Sequence, residues 1–547
     1  MMRLNGPGRH GAGLLLLAAV PPMVEMAALV ALGFFAAQPL APQATAVWPY
    51  DSYHDLRWLL VYHNSWTTFV LGLVAVVVAR GLLTAWLTAL AWPEEQPRPP
   101  ARWLVRRNLE VAAIAILIIS PWAAISVAFS AVALSWYLFA SVVPMILIAP
   151  FLQRAGVVHR WWKGLPSVAL LGWSLLNFVV LTLAGAVIMT VPDWLRILVA
   201  GLAGVVNGLL WRRTVLAAVR HQSRVRWARV PVAPIAIVLT MVAAVGAPPL
   251  IGVASGTTGV WTPPFVRQPL PERVPHAVIV LAGFDSSWDG EPAVDPRVQR
   301  FSYAGIDASG RPLPYRSKDT HRSLDSSAAL LDAQVNALHK RTGRQVALAG
   351  ESEGALVIRT YLDKLPDRPV SAALLFSPLI WPARAYYPPP GYEGWGVAAG
   401  WELRAIAAVT NLFNKVDTGP DEPFIRSVIV EAPFYRNRIL CPAPGVRMIA
   451  FLPLVGAAEA PPGEYSRIPV VEVPALHGGL LNRSDVYDEA VDFLAGEPVD
   501  QPLGVYEVLQ RLSAAWQAPP LVLDLNPLWT DIREGDPALS GRICEAR

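Results

Sequence analysis

Cysteine is almost absent. The chain has 547 residues and two cysteines, Cys441 and Cys544, too few for a small scaffold held together by disulfides or for a structural cysteine–zinc site. Histidine is nearly as scarce, with nine residues, and no Cys/His/Asp group has metal-ligand spacing. No strand-like run leads into a G-x-G-x-x-G turn, and there is no P-loop. No cofactor is therefore expected, neither nucleotide nor metal. Charge is the third scarcity. Charged residues make up 16% of the chain, against about 25% in an ordinary soluble protein.

That shortage lies in one half. Residues 1–260 hold 18 of the 45 Lys and Arg and 7 of the 41 Asp and Glu, a net +11. The remainder is net −7 and of ordinary soluble character. Such asymmetry points to two solvents, lipid and water. A basic pI near 9.0 does not indicate nucleic-acid binding here, because the basic residues flank apolar runs, where they set membrane orientation.

A spanning helix needs about 20 mostly apolar residues. Seven stretches qualify: 12–38, 62–91, 110–130, 132–152, 167–191, 194–211 and 231–253. Arg3 and Arg9 precede the first. Arg98, Arg102, Arg106 and Arg107 lie between the second and third, and Arg154, Arg160 and Lys163 follow the fourth. Arg212, Arg213, Arg220, Arg224, Arg226 and Arg229 lie between the sixth and seventh. Only Arg57 and Arg196 fall in the alternate connections. The bias predicts a multi-pass protein of the cytoplasmic (inner) membrane, with its N-terminus in the cytoplasm and everything after residue 254 outside. Ala44-Thr45-Ala46 resembles a signal-peptide cleavage site, but the apolar stretch before it is longer than a typical h-region, so a retained helix is expected. Glu25 and Arg80 are ionisable residues inside predicted spans. An intramembrane charge is a functional candidate, and the two are the only support for a transport role. The simpler expectation is that Arg80, nearer the cytoplasmic end, snorkels and that Glu25 faces the bundle interior.

Residues 255–273 are rich in Gly, Pro and Thr and read as a linker. Beyond it the pattern changes to short β-branched runs at 276–282, 345–349, 372–376, 446–454 and 470–473. A helical pattern at 325–341, with Leu330, Leu331, Val335 and Leu338 on one face, separates the first two. Strands alternating with helices predict a mostly parallel sheet flanked by helices over 274–500. Residues 381–445 are too long for a simple connection. They suggest a cap or lid with a helix at 400–415, or an insertion packed on the membrane half. A helix at 504–516 opens the extension 501–547.

The second strand runs into Gly350-Glu351-Ser352-Glu353-Gly354, followed by a helical run through Leu362. G-x-S-x-G alone is common by chance. In a strand–turn–helix context it is a nucleophile elbow, which lifts the serine Oγ clear of the sheet. A hydroxyl needs an adjacent base, and the chain order for this architecture is Ser, acid, His. Only one histidine follows Ser352, namely His477. It lies between a strand and a helical run at 486–494. Glu459, just past the preceding strand, is the first candidate acid, with Asp417, Asp421 and Asp485 as rivals. The backbone N–H groups of Glu353 and Phe284 are candidate oxyanion donors. Glu351 and Glu353 put two carboxylates beside the serine, which disfavours an oxyanion unless both point away. Cys441 and Cys544 both fall in the half expected outside, where a disulfide is plausible.

On the elbow, the Ala282-Gly283-Phe284 loop and the Leu476-His477-Gly478-Gly479 segment, residues 274–497 resemble an α/β-hydrolase of the lipase/esterase group. The resemblance implies a Ser-His-acid carboxylic ester hydrolase without a cofactor. Its departures are Glu at both variable elbow positions and no His before Gly283. The expected partners are the lipid bilayer and a small-molecule or lipid ester. An acyltransferase acting on envelope lipid or glycan is an alternative, as is a non-catalytic sensor or scaffold.

Overall fold

The computed structural model describes residues 9–129, 142–220, 230–240, 242, 261–365, 368–380, 385–412, 417, 419–435, 439–453, 468–475, 477–499 and 505–521. In the first half α1 (Arg9–Ala31), α2 (Tyr50–Val61), α3 (Trp66–Ala91), α4 (Ala101–Phe129), α5 (Val143–Ala155), α6 (Val168–Ile188) and α7 (Asp193–Arg220) follow in order. Five of these, α1, α3, α4, α6 and α7, contain stretches long and apolar enough to cross a membrane. They correspond to the first, second, third, fifth and sixth expected spans. The described part of the fourth is α5, whose 13 residues reach only about 20 Å at 1.5 Å per residue. Most of the seventh, 231–253, lies outside the described residues. Small residues bring helices together, as in membrane bundles. A Cβ on Gly204 of α7 would stand 2.4 Å from the Ala18 carbonyl of α1.

The connection after α1 was expected outside the bundle, and it turns back into it instead. Pro39 and Pro42 sit in a 3-10 helix, Phe35–Thr45, most of which is buried. Non-helical backbone survives at membrane depth only where protein satisfies its polar groups. Here buried polar side chains do so. Asn207 Nδ2 donates to the Pro42 carbonyl, Trp211 Nε1 to that of Thr45 and Gln153 Nε2 to that of Trp48. The Val47 N–H donates to Asn177 Oδ1. Thr45 reaches the Ala18 carbonyl at 2.6 Å, deep along α1. Arg57, read from sequence as a connection residue, is fully buried. Arg80 does not snorkel. It is 6% exposed and forks onto Asp55.

The second half holds a six-stranded, all-parallel sheet of order β2-β1-β3-β4-β5-β6. Its strands are β1 (Ala277–Leu281), β2 (Val298–Arg300), β3 (Val346–Glu351), β4 (Val370–Phe376), β5 (Arg447–Pro453) and β6 (Val470–Val473). A sheet buried on both faces needs near-continuous apolar strands. Ala277, Ile279 and Leu281 face α8 (Leu324–Thr342) and α9 (Glu353–Lys364). Val278 and Val280 face α12 (Ser484–Ala495), after α10 (Val397–Asn411) and α11 (Pro423–Val430) in the chain. Phe265 and Val266 join that second face, so the end of the expected linker is part of the sheet's packing.

Two segments tie the halves together. In the insertion, His63 Nε2 accepts the Ala398 N–H of α10 at 2.8 Å, and Ser120 of α4 donates to Glu402 at 2.9 Å. In the C-terminal extension, α13 (Val505–Ser513) leads to Trp516, which stacks on Phe178 with centroids 4.6 Å apart and donates to Thr182. Arg57 donates to the carbonyls of Ala515 and Gln517. Cys441 is buried and disulfide-bonded. Cys544 lies outside the described residues.

Candidate active site

In this sheet β1 and β2 build outward in one direction and β3 to β6 in the other. The reversal lies between β1 and β3. Crevices at the carboxyl ends of strands flanking such a switch point are where open parallel sheets bind ligands. Ser352 stands at the end of β3, and Gly283 and Phe284 follow β1.

Ser352 has φ 55° and ψ −112°. A non-glycine residue at positive φ stores strain of order 1–3 kcal/mol. The turn is held by the Ser352 N–H donating to the Phe376 carbonyl at 2.9 Å and by close packing on both sides. A Cβ on Gly350 would lie 2.5 Å from the Gly354 carbonyl oxygen, and one on Gly354 would lie 2.8 Å from Leu281 Cβ. The neighbours are backbone and core, so neither contact can relax cheaply. Gly350→Ala and Gly354→Ala are each expected to destabilise the second half by about 1–3 kcal/mol, the usual cost of overpacking, measured as a lower Tm.

His477, after β6, brings its Nε2 to 2.9 Å from Ser352 Oγ. Burial pushes the imidazole down to about 4, so the ring is neutral and able to accept a proton at physiological pH. Among the described residues no carboxylate pairs with it. Glu459 lies outside the described residues. The rivals are committed elsewhere: Asp421 to Arg404 and Arg426, Asp485 to Arg483, and Asp417 to the Gly419 N–H and Asn411.

The loop after β1 closes on the serine. A Cβ on Gly283 would stand 3.2 Å from Ser352 Cβ. The first N–H groups of a helix have no intrahelical acceptor, and Glu353 opens α9. The Phe284 ring stacks on His321 at 4.5 Å and on Phe424 of α11 at 5.1 Å. His321 in turn pairs with Glu422 at 2.9 Å. The insertion thus walls the site with α11 and touches the membrane half with α10. Sequence gave no sign of His321, Glu422 or Phe424, because each acquires its neighbours only in three dimensions.

The two glutamates beside the serine are both buried. Glu351 accepts the Leu480 N–H at 2.7 Å, three residues after His477. Burial pushes its carboxyl up to about 7, against the pull of the Leu480, Leu481 and Gly479 amides. Glu353 is fully buried, and burial, with the nearby Glu422 charge, holds its carboxyl well above the usual range. A protonated Glu353 adds no negative charge beside the serine, and Glu351 directs its carboxyl at the histidine loop. Glu351 also gives a pH signature. The folded protein keeps a proton that the unfolded chain releases from about 4.5 upward, so stability contributed at low pH is lost as pH rises toward about 7. Glu351→Gln retains an oxygen for Leu480 and cannot ionise. It is expected to remove that decline in Tm, worth on the order of 3 kcal/mol.

Neither a protein-family model nor a curated protein matches this chain.

Proposed function

We propose that the second half is a serine acyl hydrolase of the α/β-hydrolase type, held against the membrane half, that cleaves carboxylic esters of lipids or other acylated molecules. The observation that carries this reading is the 2.9 Å contact between Ser352 Oγ and His477 Nε2 at a strained strand–turn–helix elbow. His477 takes the hydroxyl proton as Oγ attacks the ester carbonyl. The oxyanion meets the N–H groups of Glu353 and Phe284. Collapse expels the alcohol with the proton from His477, leaving an acyl-enzyme. Water, activated by the same histidine, releases the acid. Glu459 is the proposed acid, holding the imidazole tautomer.

The preference for a membrane-derived ester rests on the insertion, which meets both the site and the bundle. The contacts described between the halves fall at one end of the bundle, near His63, Ser120 and Thr182. The arginine-rich ends, with Arg106 and Arg107 on α4 and Arg212 and Arg213 on α7, lie at the other. With the positive end in the cytoplasm, the hydrolase half belongs outside.

A fluorophosphonate probe, which requires an activated serine, tests the reading in native membranes. Labelling is expected in the wild type and absent in Ser352→Ala. A folded wild type that stays unlabelled, both in membranes and in detergent, overturns it.

A further inference from the structure

Helix α2 carries a histidine between two carboxylates. His54 Nε2 is 2.9 Å from Glu25 Oε1 on α1, and Nδ1 is 3.0 Å from Asp55 Oδ1. Arg80 of α3 forks onto Asp55 at 2.8 and 2.5 Å and lies 3.6 Å from Asp51. Nε2 has a second neighbour, Trp58 Nε1, at 3.2 Å. The two neighbours require opposite states of the same nitrogen. An ionised Glu25 can only accept, so it needs an N–H; the indole can only donate, so it needs a bare nitrogen. Gaining or losing one proton therefore leaves Nε2 hydrogen-bonded either way.

The charges agree with this. Glu25 and Asp55 lie against His54, and Arg80 is paired with Asp55. With Arg80 on Asp55, the imidazolium is the counter-charge for an ionised Glu25; the neutral ring leaves that carboxylate without one, which is costly away from water. An open, apolar groove of about 310 Å³ lies beside the pair, lined by Leu29, Leu32, Phe34 and Trp58 together with Glu25 and His54. Glu25 is the more accessible of the pair, its side chain 22% exposed against 5% for His54. It sits six residues before the end of α1, about 9 Å along the helix.

We propose that Glu25 and His54 form a reversible proton-binding site in the membrane half, with Trp58 as the alternative partner of the unloaded ring. Proton gain converts Nε2 from acceptor to donor toward Glu25 and releases the indole N–H; proton loss reverses both.

The test is nitrogen NMR of the full chain, labelled with ¹⁵N-histidine and held in lipid nanodiscs. At about pH 8 ordinary histidines, with pKa near 6.5, are neutral. One imidazolium, with both ring nitrogens protonated, is expected among the nine histidines and is expected to vanish in His54→Gln. Glu25→Gln should lower the pH of half-conversion by at least one unit, and Trp58→Phe should raise it. If His54→Gln does not fold, the opposed shifts in the other two variants still decide. Nine neutral rings at that pH, or an imidazolium that neither Glu25→Gln nor Trp58→Phe moves, overturns the proposal.

Discussion

Replacing His477 with alanine is expected to slow acylation at Ser352 by several orders of magnitude, up to about 10⁶-fold, because serine and base act as one unit. The residual rate would come from the oxyanion donors and binding alone. The pH profile carries more information than the loss. The base works only as the neutral ring, so activity must fall as pH drops through the pKa of His477. Burial alone sets that value at about 4. A buried carboxylate against Nδ1 would favour the imidazolium and raise it. The acid limb of a fluorophosphonate labelling-rate profile therefore reports whether an acid is in place. With Glu459 in that role, the wild-type limb is expected well above 4, and Glu459→Gln is expected to move it down toward 4 while cutting the rate by about 10⁴, the scale for loss of a triad acid. A limb already near 4 that Glu459→Gln leaves alone would remove Glu459 from the mechanism. The rivals would gain nothing from that result, since Asp417, Asp421 and Asp485 are each bound to other groups.

The sheet was legible because its strands are buried on both faces. A run such as Ala277–Leu281, with every residue covered, has few readings other than a central parallel strand. Several helices of the second half were legible through their periodicity, although α11 (Pro423–Val430) was not. The 325–341 pattern is Leu324–Thr342, started by Ser323 and stopped by Gly343 in the left-handed region. The edge strand β2 was chemically camouflaged. Val298–Arg300 is three residues long and buries Gln299 and Arg300, so no apolar run announces it. The largest misreading was the connection after α1. Asp51, His54, Asp55 and Arg57 resemble an aqueous loop when judged by composition. They are admitted to the bundle because Arg80, Glu25 and the carbonyls of Ala515 and Gln517 are already there. The last two come from the far end of the chain, and no local pattern encodes a partner more than 450 residues away. The elbow was the opposite case. Its strain and its glycines are properties of five consecutive residues, and the sequence displays all five.

The same burial makes Arg80 a consequential position in the membrane half. Arg80→Leu would strip Asp55 of the guanidinium held at 2.5 Å, leaving it only His54, and would leave the fully buried Asp51 without its cation. Removing one member of a buried pair typically costs about 3–5 kcal/mol, because the abandoned charge stays out of water. The expected result is a large fall in Tm in nanodiscs. The cost belongs to the stranded carboxylates and not to the arginine, which gives the decisive comparison. Arg80→Leu combined with Asp55→Asn removes one of those charges and leaves an amide that can still accept from His54. The double variant should therefore be more stable than Arg80→Leu alone, although it carries one more substitution. An arginine that merely reached along the helix toward water would behave differently. Its loss would cost within about 0.5 kcal/mol, as at an ordinary surface position, and Asp55→Asn would restore nothing.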